Sequence, residues 1–373
     1  MVGTGAGADA GARTGATTGR NLDRLRAAAD RLTGLDVAGW FYGDSIGFEG
    51  LLAATDVLDD PRYGAYAHGF LRGWATRAEP YREMDNTVPG RALCRIAEAT
   101  SDPLLLAAGE RLAAHLLARP TIGGVFVSFP RAPLREPYGG APLPPEERAL
   151  LDDPGPGAFV DCLHFDPPFF AALGRLTGDA ALIDAAIDQA SGYVRLLQDP
   201  ATGLFHHFWL ARTGRPYILG WGRGQGWALL GLLDTLEQLP ADASGRHGLE
   251  DAVRALAAAM TARQRADGHW HAVAGDAASG DESSTAAFMA VGLATGADRG
   301  LLDPSVLPAA ERAWEATLRS LGDDGVLRDV SAAVWACTQL EHYRRVPTGF
   351  TVAWGQGPVL VAAMRWAAQH HPR

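Results

Sequence analysis

The sequence predicts an all-α fold, an (α/α)6 barrel in which six helical hairpins close into a toroid, and two repeats carry the prediction. The first is a polar boundary phrase that recurs as Leu58-Asp59-Asp60-Pro61, Thr100-Ser101-Asp102-Pro103 and Thr177-Gly178-Asp179, each time between two apolar segments. Antiparallel helix pairs need such a turn, because an Asp at the N-cap position of the next helix satisfies amides that have no partner inside it. The second repeat is Gly124-Val125-Phe126, Gly203-Leu204-Phe205, Gly268-His269-Trp270 and Gly325-Val326-Leu327, which short extended pieces at one rim would explain.

Apolar periodicity on either side of these marks yields the helices in pairs. First members fall near 21–34, 61–78, 103–118, 179–197, 249–264 and 306–320; rich in Ala, Leu and Arg with polar faces, they read as outer helices. Partners near 44–56, 86–99, 160–176, 225–238, 283–296 and 357–369 open on Gly, Asp, Ser or Pro and carry more apolar residues, the pattern of inner helices packed on both sides. Residues 1–19, dominated by Gly, Ala and Thr without an apolar core, read as a flexible tail ahead of a single domain over 20–373. The segment 130–158 interrupts the periodicity with dense Pro and Gly and reads as a long loop, either a surface insertion or a flap over the mouth of the ring.

Bulk composition narrows the function classes. Apolar residues at 47% and charged residues at 20% give a globular chain with ample core material. A formal charge of -10 with scattered Arg residues leaves no basic footprint for nucleic acid, and an acidic ligand would need specific cations inside a pocket. No stretch is apolar enough to span a bilayer. The three cysteines, Cys94, Cys162 and Cys337, are odd in number and far apart, which suits reduced, buried thiols and a cytoplasmic protein.

In a closed ring the starts of the inner helices converge, so the polar and aromatic residues found there form the candidate site: Trp40 and Tyr42, Asp85, Asp161 and His164, Arg223 and Trp227, and Glu282 with Ser283. Asp85 and Asp161 form a carboxylate pair able to divide proton donation and water activation, although each also reads as a helix N-cap. In Trp221-Gly222-Arg223-Gly224-Gln225-Gly226-Trp227, Arg223 and Trp227 share a helical face, suited to holding a carboxylate and stacking on a sugar. The same segment also reads as a Gly-rich helix entry with a buried Trp and a salt-bridged Arg. His206, His207 and Trp209 alternate along an extended piece, so one of the two histidines faces the mouth. Asp166, before Pro167-Pro168, reads as a local cap at a bend. Neither HExxH nor CxxC spacing occurs, so no metal site and no cofactor are expected.

Several of these motifs occur in the order seen in a known family. Asp85-Asn86-Thr87-Val88-Pro89-Gly90, Phe159-Val160-Asp161, Pro168-Phe169-Phe170-Ala171, Leu176-Thr177-Gly178-Asp179 and Thr202 to Trp209 resemble the unsaturated glucuronyl and rhamnogalacturonyl hydrolases, glycoside hydrolase families 88 and 105, more closely the latter. Trp221 to Trp227 resembles the family's W-x-R-G-N-G-W, with Gln225 where Asn is usual, and Glu282-Ser283-Ser284-Thr285-Ala286 resembles its E-[TS]-x-[TA]-A. His164 stands where the family commonly has an aromatic or apolar residue. The resemblance implies an (α/α)6 barrel that removes a terminal Δ4,5-unsaturated uronic acid from lyase-generated oligosaccharides. It implies Asp161 as general acid/base and Asp85 as the second pocket carboxylate. His207, Arg223 and Trp227 match residues around the unsaturated sugar, with Trp40 and Tyr42 a weaker match. Two other readings stand beside this one: a conventional glycosidase using Asp85 and Asp161 on saturated glycosides, and a non-catalytic toroid that binds saccharides.

Overall fold

The computed structural model describes residues 6–37, 42–77, 89–140 and 142–368. Helices α1 (Ala6–Thr33), α3 (Arg62–Ala75), α5 (Pro103–Leu117), α8 (Ala180–Leu197), α10 (Arg246–Thr261) and α12 (Leu307–Ser320) form an outer ring. Helices α2 (Asp44–Leu58), α4 (Gly90–Thr100), α7 (Cys162–Thr177), α9 (Gly222–Gln238), α11 (Ser283–Asp298) and α14 (Ala353–Ala368) form the inner one. Each inner helix packs on the next, and α14 returns to α2, so the ring is closed as the repeats predict. Helix α1 starts at Ala6, within the segment read from sequence as a tail, and α14 starts four residues earlier than the apolar periodicity suggests.

The boundary phrase works twice at each joint. Asp59, Ser101 and Gly178 adopt left-handed backbone and close the preceding helix. The Asp that follows then caps the next segment: Asp60 accepts from the Arg62 amide, Asp102 from Leu104 and Asp179 from Ala181. The glycine repeat has an equally direct cause. Gly203, Gly268 and Gly325 all have positive φ, and a Cβ there would meet backbone atoms of Ala255 in α10, Arg312 in α12 and Ala27 in α1 at 2.6, 2.3 and 2.2 Å. Each turn thus lies against the next outer helix, and Gly325 against the first helix completes the circuit.

Of the four extended pieces expected at the rim, Val125–Phe126 is a strand, β2, paired with β1 (Thr121–Ile122), whereas Phe205 and Leu327 make isolated bridges, to Gln198 and Leu321; the further strands are β3 (Gly157–Phe159), β4 (His206–Leu210) and β5 (Arg215–Leu219). The last three form an antiparallel sheet in the order β3-β4-β5, with Phe159 opposite Phe208 and Phe208 opposite Tyr217. A satellite core of Ala132, Phe159, Phe208, Leu210, Tyr217 and Ala336 lies against this sheet, separate from the continuous core between the two rings.

Segment 130–158 is not wholly a loop, since it contains helix α6 (Pro145–Asp152). It docks on the segment between α12 and α14: Leu134 bridges Ala336, and Tyr138 stacks on His342 with ring centroids 4.6 Å apart. His342 belongs to the short helix α13 (Leu340–Arg344). Pro167 and Pro168 fall inside α7 rather than ending it, and Asp166 is a buried helix residue rather than a cap. Proline at 167 removes the amide that would bond the Leu163 carbonyl. Gly231 of α9 packs on that carbonyl, where a Cβ would sit 2.2 Å from the oxygen. All three cysteines are free and buried. Among the described residues no helix is long and apolar enough to cross a membrane.

Candidate active site

Asp161 occupies the N-terminal end of α7, yet its side chain makes no capping hydrogen bond. The capping role that accounts for Asp102 and Asp179 therefore does not account for this carboxylate. Its side chain is 12% exposed, and burial pushes its pKa from 3.8 up to about 7 while the Arg223 charge pulls the other way. The acid form persists close to neutral pH.

Strand β4 brings His207 beside it, with Nε2 3.7 Å from Asp161 Oδ2. His207 is the member of the histidine pair that turns inward; His206 turns to the Leu197 carbonyl instead. The His207 ring is wedged between Trp221, at 4.3 Å between centroids, and the edges of Phe159, Phe208 and Tyr343. Burial, reinforced by Arg223 and His342, holds its pKa well below 6.5, so the imidazole is neutral. Trp209, two residues on, shares its strand face and is half-buried.

Arg223 sits at the start of α9, wholly enclosed, with its guanidinium between the rings of Trp221 and Trp354 at 4.9 and 5.6 Å. Its Nη1 donates to Glu282 Oε1 at 3.1 Å and to Ser331 Oγ at 2.6 Å, and its Nη2 donates to the Ala332 carbonyl at 3.2 Å. Three of its five N–H groups are thus committed and Nε–H has no partner among the described residues, but the whole side chain is enclosed, so the grip on a substrate carboxylate expected of it from sequence is not seen. Arg223 instead ties α9 to the 331–332 backbone. Glu282 is the other half of that tie: as N-cap of α11 it accepts from the Thr285 amide, Ser284 Oγ, Thr285 Oγ1 and the Ser331 amide. Glu282 is saturated and Arg223 keeps its Nε–H without a partner among the described residues, so the pair acts as a fixed polar frame. Tyr42 stacks on Trp354 at 4.8 Å, and the charges of Arg223 and Asp161 both reach its hydroxyl.

Trp227 is fully buried and packs against His164, Phe288 and Tyr42, so it supports the pocket wall rather than stacking on a sugar. His164 lies beneath it, equally enclosed; it bonds Ser45 Oγ at 3.3 Å, and burial lowers its pKa to about 4. Together with Glu49 and Asp234 it forms a group whose potential ligand atoms lie within 4.8 Å of one another. Arg91 already stands as the cation of this group, at 2.8 Å from Glu49 and 3.0 Å from Asp234. A metal would have to displace it. Trp40 and Asp85 lie outside the described residues.

The mouth also contains three residues that the sequence reading does not single out: Ser331, Tyr343 and Trp354. Trp354-Gly355-Gln356-Gly357 echoes Trp221-Gly222-Arg223-Gly224, so Trp354 had a readable signal. Ser331 and Tyr343 come from an aperiodic return segment and had none.

A double ring of helices with a buried carboxylic acid, a neutral histidine and stacked aromatics at one mouth defines a hydrolase of the six-hairpin glycosidase class. The family model of Glycosyl Hydrolase Family 88 matches residues 26–368, and the chain belongs to this family. It is a glycoside hydrolase of the unsaturated uronyl hydrolase type. It is similar to the unsaturated rhamnogalacturonyl hydrolase YesR of Bacillus subtilis (strain 168), at 23% identity over 327 residues covering 86% of this chain and 88% of the relative. Two solved structures share the fold. The glycoside hydrolase from family 105 of C. acetobutylicum ATCC 824 matches with a TM-score of 0.76 at 19% identity, over 92% of this chain and 98% of that one. The unsaturated glucuronyl hydrolase of Bacillus sp. GL1 matches with a TM-score of 0.68 at 19% identity, over 92% and 95%.

Proposed function

We propose that the chain removes a terminal Δ4,5-unsaturated uronic acid from lyase-generated oligosaccharides, with Asp161 as the single general acid and base. The observation that supports this most directly is a carboxyl group at the helix mouth that caps nothing and holds its proton to about pH 7. The substrate is a vinyl ether. Asp161 delivers its proton to C4, and positive charge develops at C5 and the ring oxygen. The Asp161 carboxylate then takes a proton from a water that adds at C5, which regenerates the acid. The resulting hemiketal opens and expels the remaining saccharide. By resemblance to the family, Asp85 supplies the second pocket carboxylate, and His207, with Tyr42 a weaker match, lies around the sugar; half-buried Trp209, on the strand face of His207, joins them.

The decisive assay follows loss of the C4=C5 uronate absorbance with a panel of lyase-generated disaccharides. The wild-type protein is expected to bleach at least one member and Asp161→Asn none. Because the donor is the acid form, kcat falls about tenfold per pH step above roughly 7. Turnover of saturated glycosides alone would replace this reading with the conventional glycosidase, and binding that survives Asp161→Asn without turnover in either protein would replace it with a saccharide-binding toroid.

A further inference from the structure

We propose that Tyr343 is a positioning residue: it fixes His207 in the tautomer that carries its proton on Nε2, and so sets an N–H rather than a lone pair beside Asp161, ready to stabilise the carboxylate left when the acid has given up its proton. This deepens the reading of Asp161 given above and rests on it.

Tyr343 is almost fully buried on α13, and its hydroxyl lies 2.5 Å from His207 Nδ1. Either partner could donate, and the surroundings choose. Buried as it is, the phenol proton needs an acceptor. Among the described residues, His207 Nδ1 is the acceptor within bonding distance. Were Nδ1 to carry the proton, the phenol hydrogen would be buried without a partner, an arrangement that costs about 1–3 kcal/mol. The phenol therefore donates, Nδ1 accepts, and a neutral imidazole must carry its one hydrogen on Nε2. The charged and titratable groups that reach the ring are Arg223 from α9, His342 from α13 and Asp161 from the head of α7.

The consequence falls on Asp161. Nε2, 3.7 Å from Asp161 Oδ2, then carries a hydrogen and offers the acid no lone pair. In the other tautomer a bare Nε2 lone pair would stand near the carboxylic acid and accept a hydrogen bond from it, which favours the acid over the carboxylate and makes the proton harder to pass to C4. During turnover the same Nε2–H stabilises the carboxylate left after proton transfer. The imidazole neither gains nor loses a proton over the cycle. Tyr343 is held in turn by the 130–158 segment, through Tyr138 stacked on the neighbouring His342.

The test is long-range proton–nitrogen NMR on histidine-labelled full-length protein near neutral pH, with His207→Gln used to assign the ring. It needs no substrate, so it reports on the tautomer whether or not the uronyl assay succeeds. Wild type is expected to show an unprotonated Nδ1 and a protonated Nε2. Tyr343→Phe is expected to show both tautomers, a kcat about tenfold lower with KM little changed, and an alkaline limb displaced to higher pH. A protonated Nδ1 in the wild type overturns the proposal, as does a Tyr343→Phe protein with an unchanged ring spectrum and an unchanged alkaline limb. Should the variant not fold, the wild-type spectrum alone decides.

Discussion

Replacing Asp161 by Asn should make the folded protein more stable while removing its turnover, and the gain should grow with pH. Burial raises the carboxyl from 3.8 to about 7 in the native state. Between these values the native protein holds a proton that the unfolded chain has released, so native stability falls as pH rises through this window and levels off above it. The side chain is 12% exposed, so little solvent screening need be discounted. At about 1.36 kcal/mol for each pH unit, wild type is penalised by about 2 kcal/mol near pH 5 and about 4 kcal/mol near pH 8.5. Asn carries no such penalty. Urea unfolding followed by tryptophan fluorescence at the two pH values should therefore show the Asn variant's advantage widening by about 2–3 kcal/mol. Asp166 provides a control, because burial opposite Arg119 lifts its pKa to about 7 as well, yet it lies outside the mouth. Asp166→Asn should show the same pH-linked stabilisation with activity retained. An advantage of Asp161→Asn that is flat with pH would refute the claim that this carboxyl resists ionisation.

Glu282→Gln strips the counter-charge from a fully enclosed Arg223 and is expected to cost about 3–5 kcal/mol, read as a lower urea midpoint at unchanged slope. Gln225 accepts from the Phe205 amide and donates to the Phe205 and Trp221 carbonyls, joining α9 to the approach of β4. Shortening it to Asn, the family's usual residue, should cost about 1–3 kcal/mol and speed amide exchange at Phe205. Gly231→Ala drives a methyl group into the Leu163 carbonyl and is expected to destabilise by about 3 kcal/mol or more; a variant as stable as wild type would show that α7 and α9 are not in this close contact.

What was legible in the sequence was what local chemistry dictates. Left-handed closure followed by an Asp cap needs only adjacent residues, so Ser101-Asp102 and Gly178-Asp179 announced their hairpins. Asp161 stood out because it opens an inner helix, where a closed ring brings polar residues together, and because Phe159-Val160-Asp161 resembles a family motif. Burial, by contrast, is set by neighbours far along the chain. The segment 221–227 allowed two readings, a grip on a sugar acid and a Gly-rich helix entry with a buried Trp and a salt-bridged Arg; the partners that give the second, Glu282, Ser331 and Phe288, lie far along the chain. Tyr343 reaches His207 across 136 residues from a segment without periodicity.

The closure of the ring bears on how the chain is made. Gly325 rests against α1, Arg20 pairs with Asp323 303 residues away, and α14 lies on α2. Until the last inner helix has left the ribosome, the molecule is a horseshoe with an open apolar seam along α2. Such distant partners delay the final fastening and leave that seam open to wrong contacts in the meantime. Ribosome-held chains ending short of α14 should accordingly be rich substrates for chaperones, and the finished toroid a poor one.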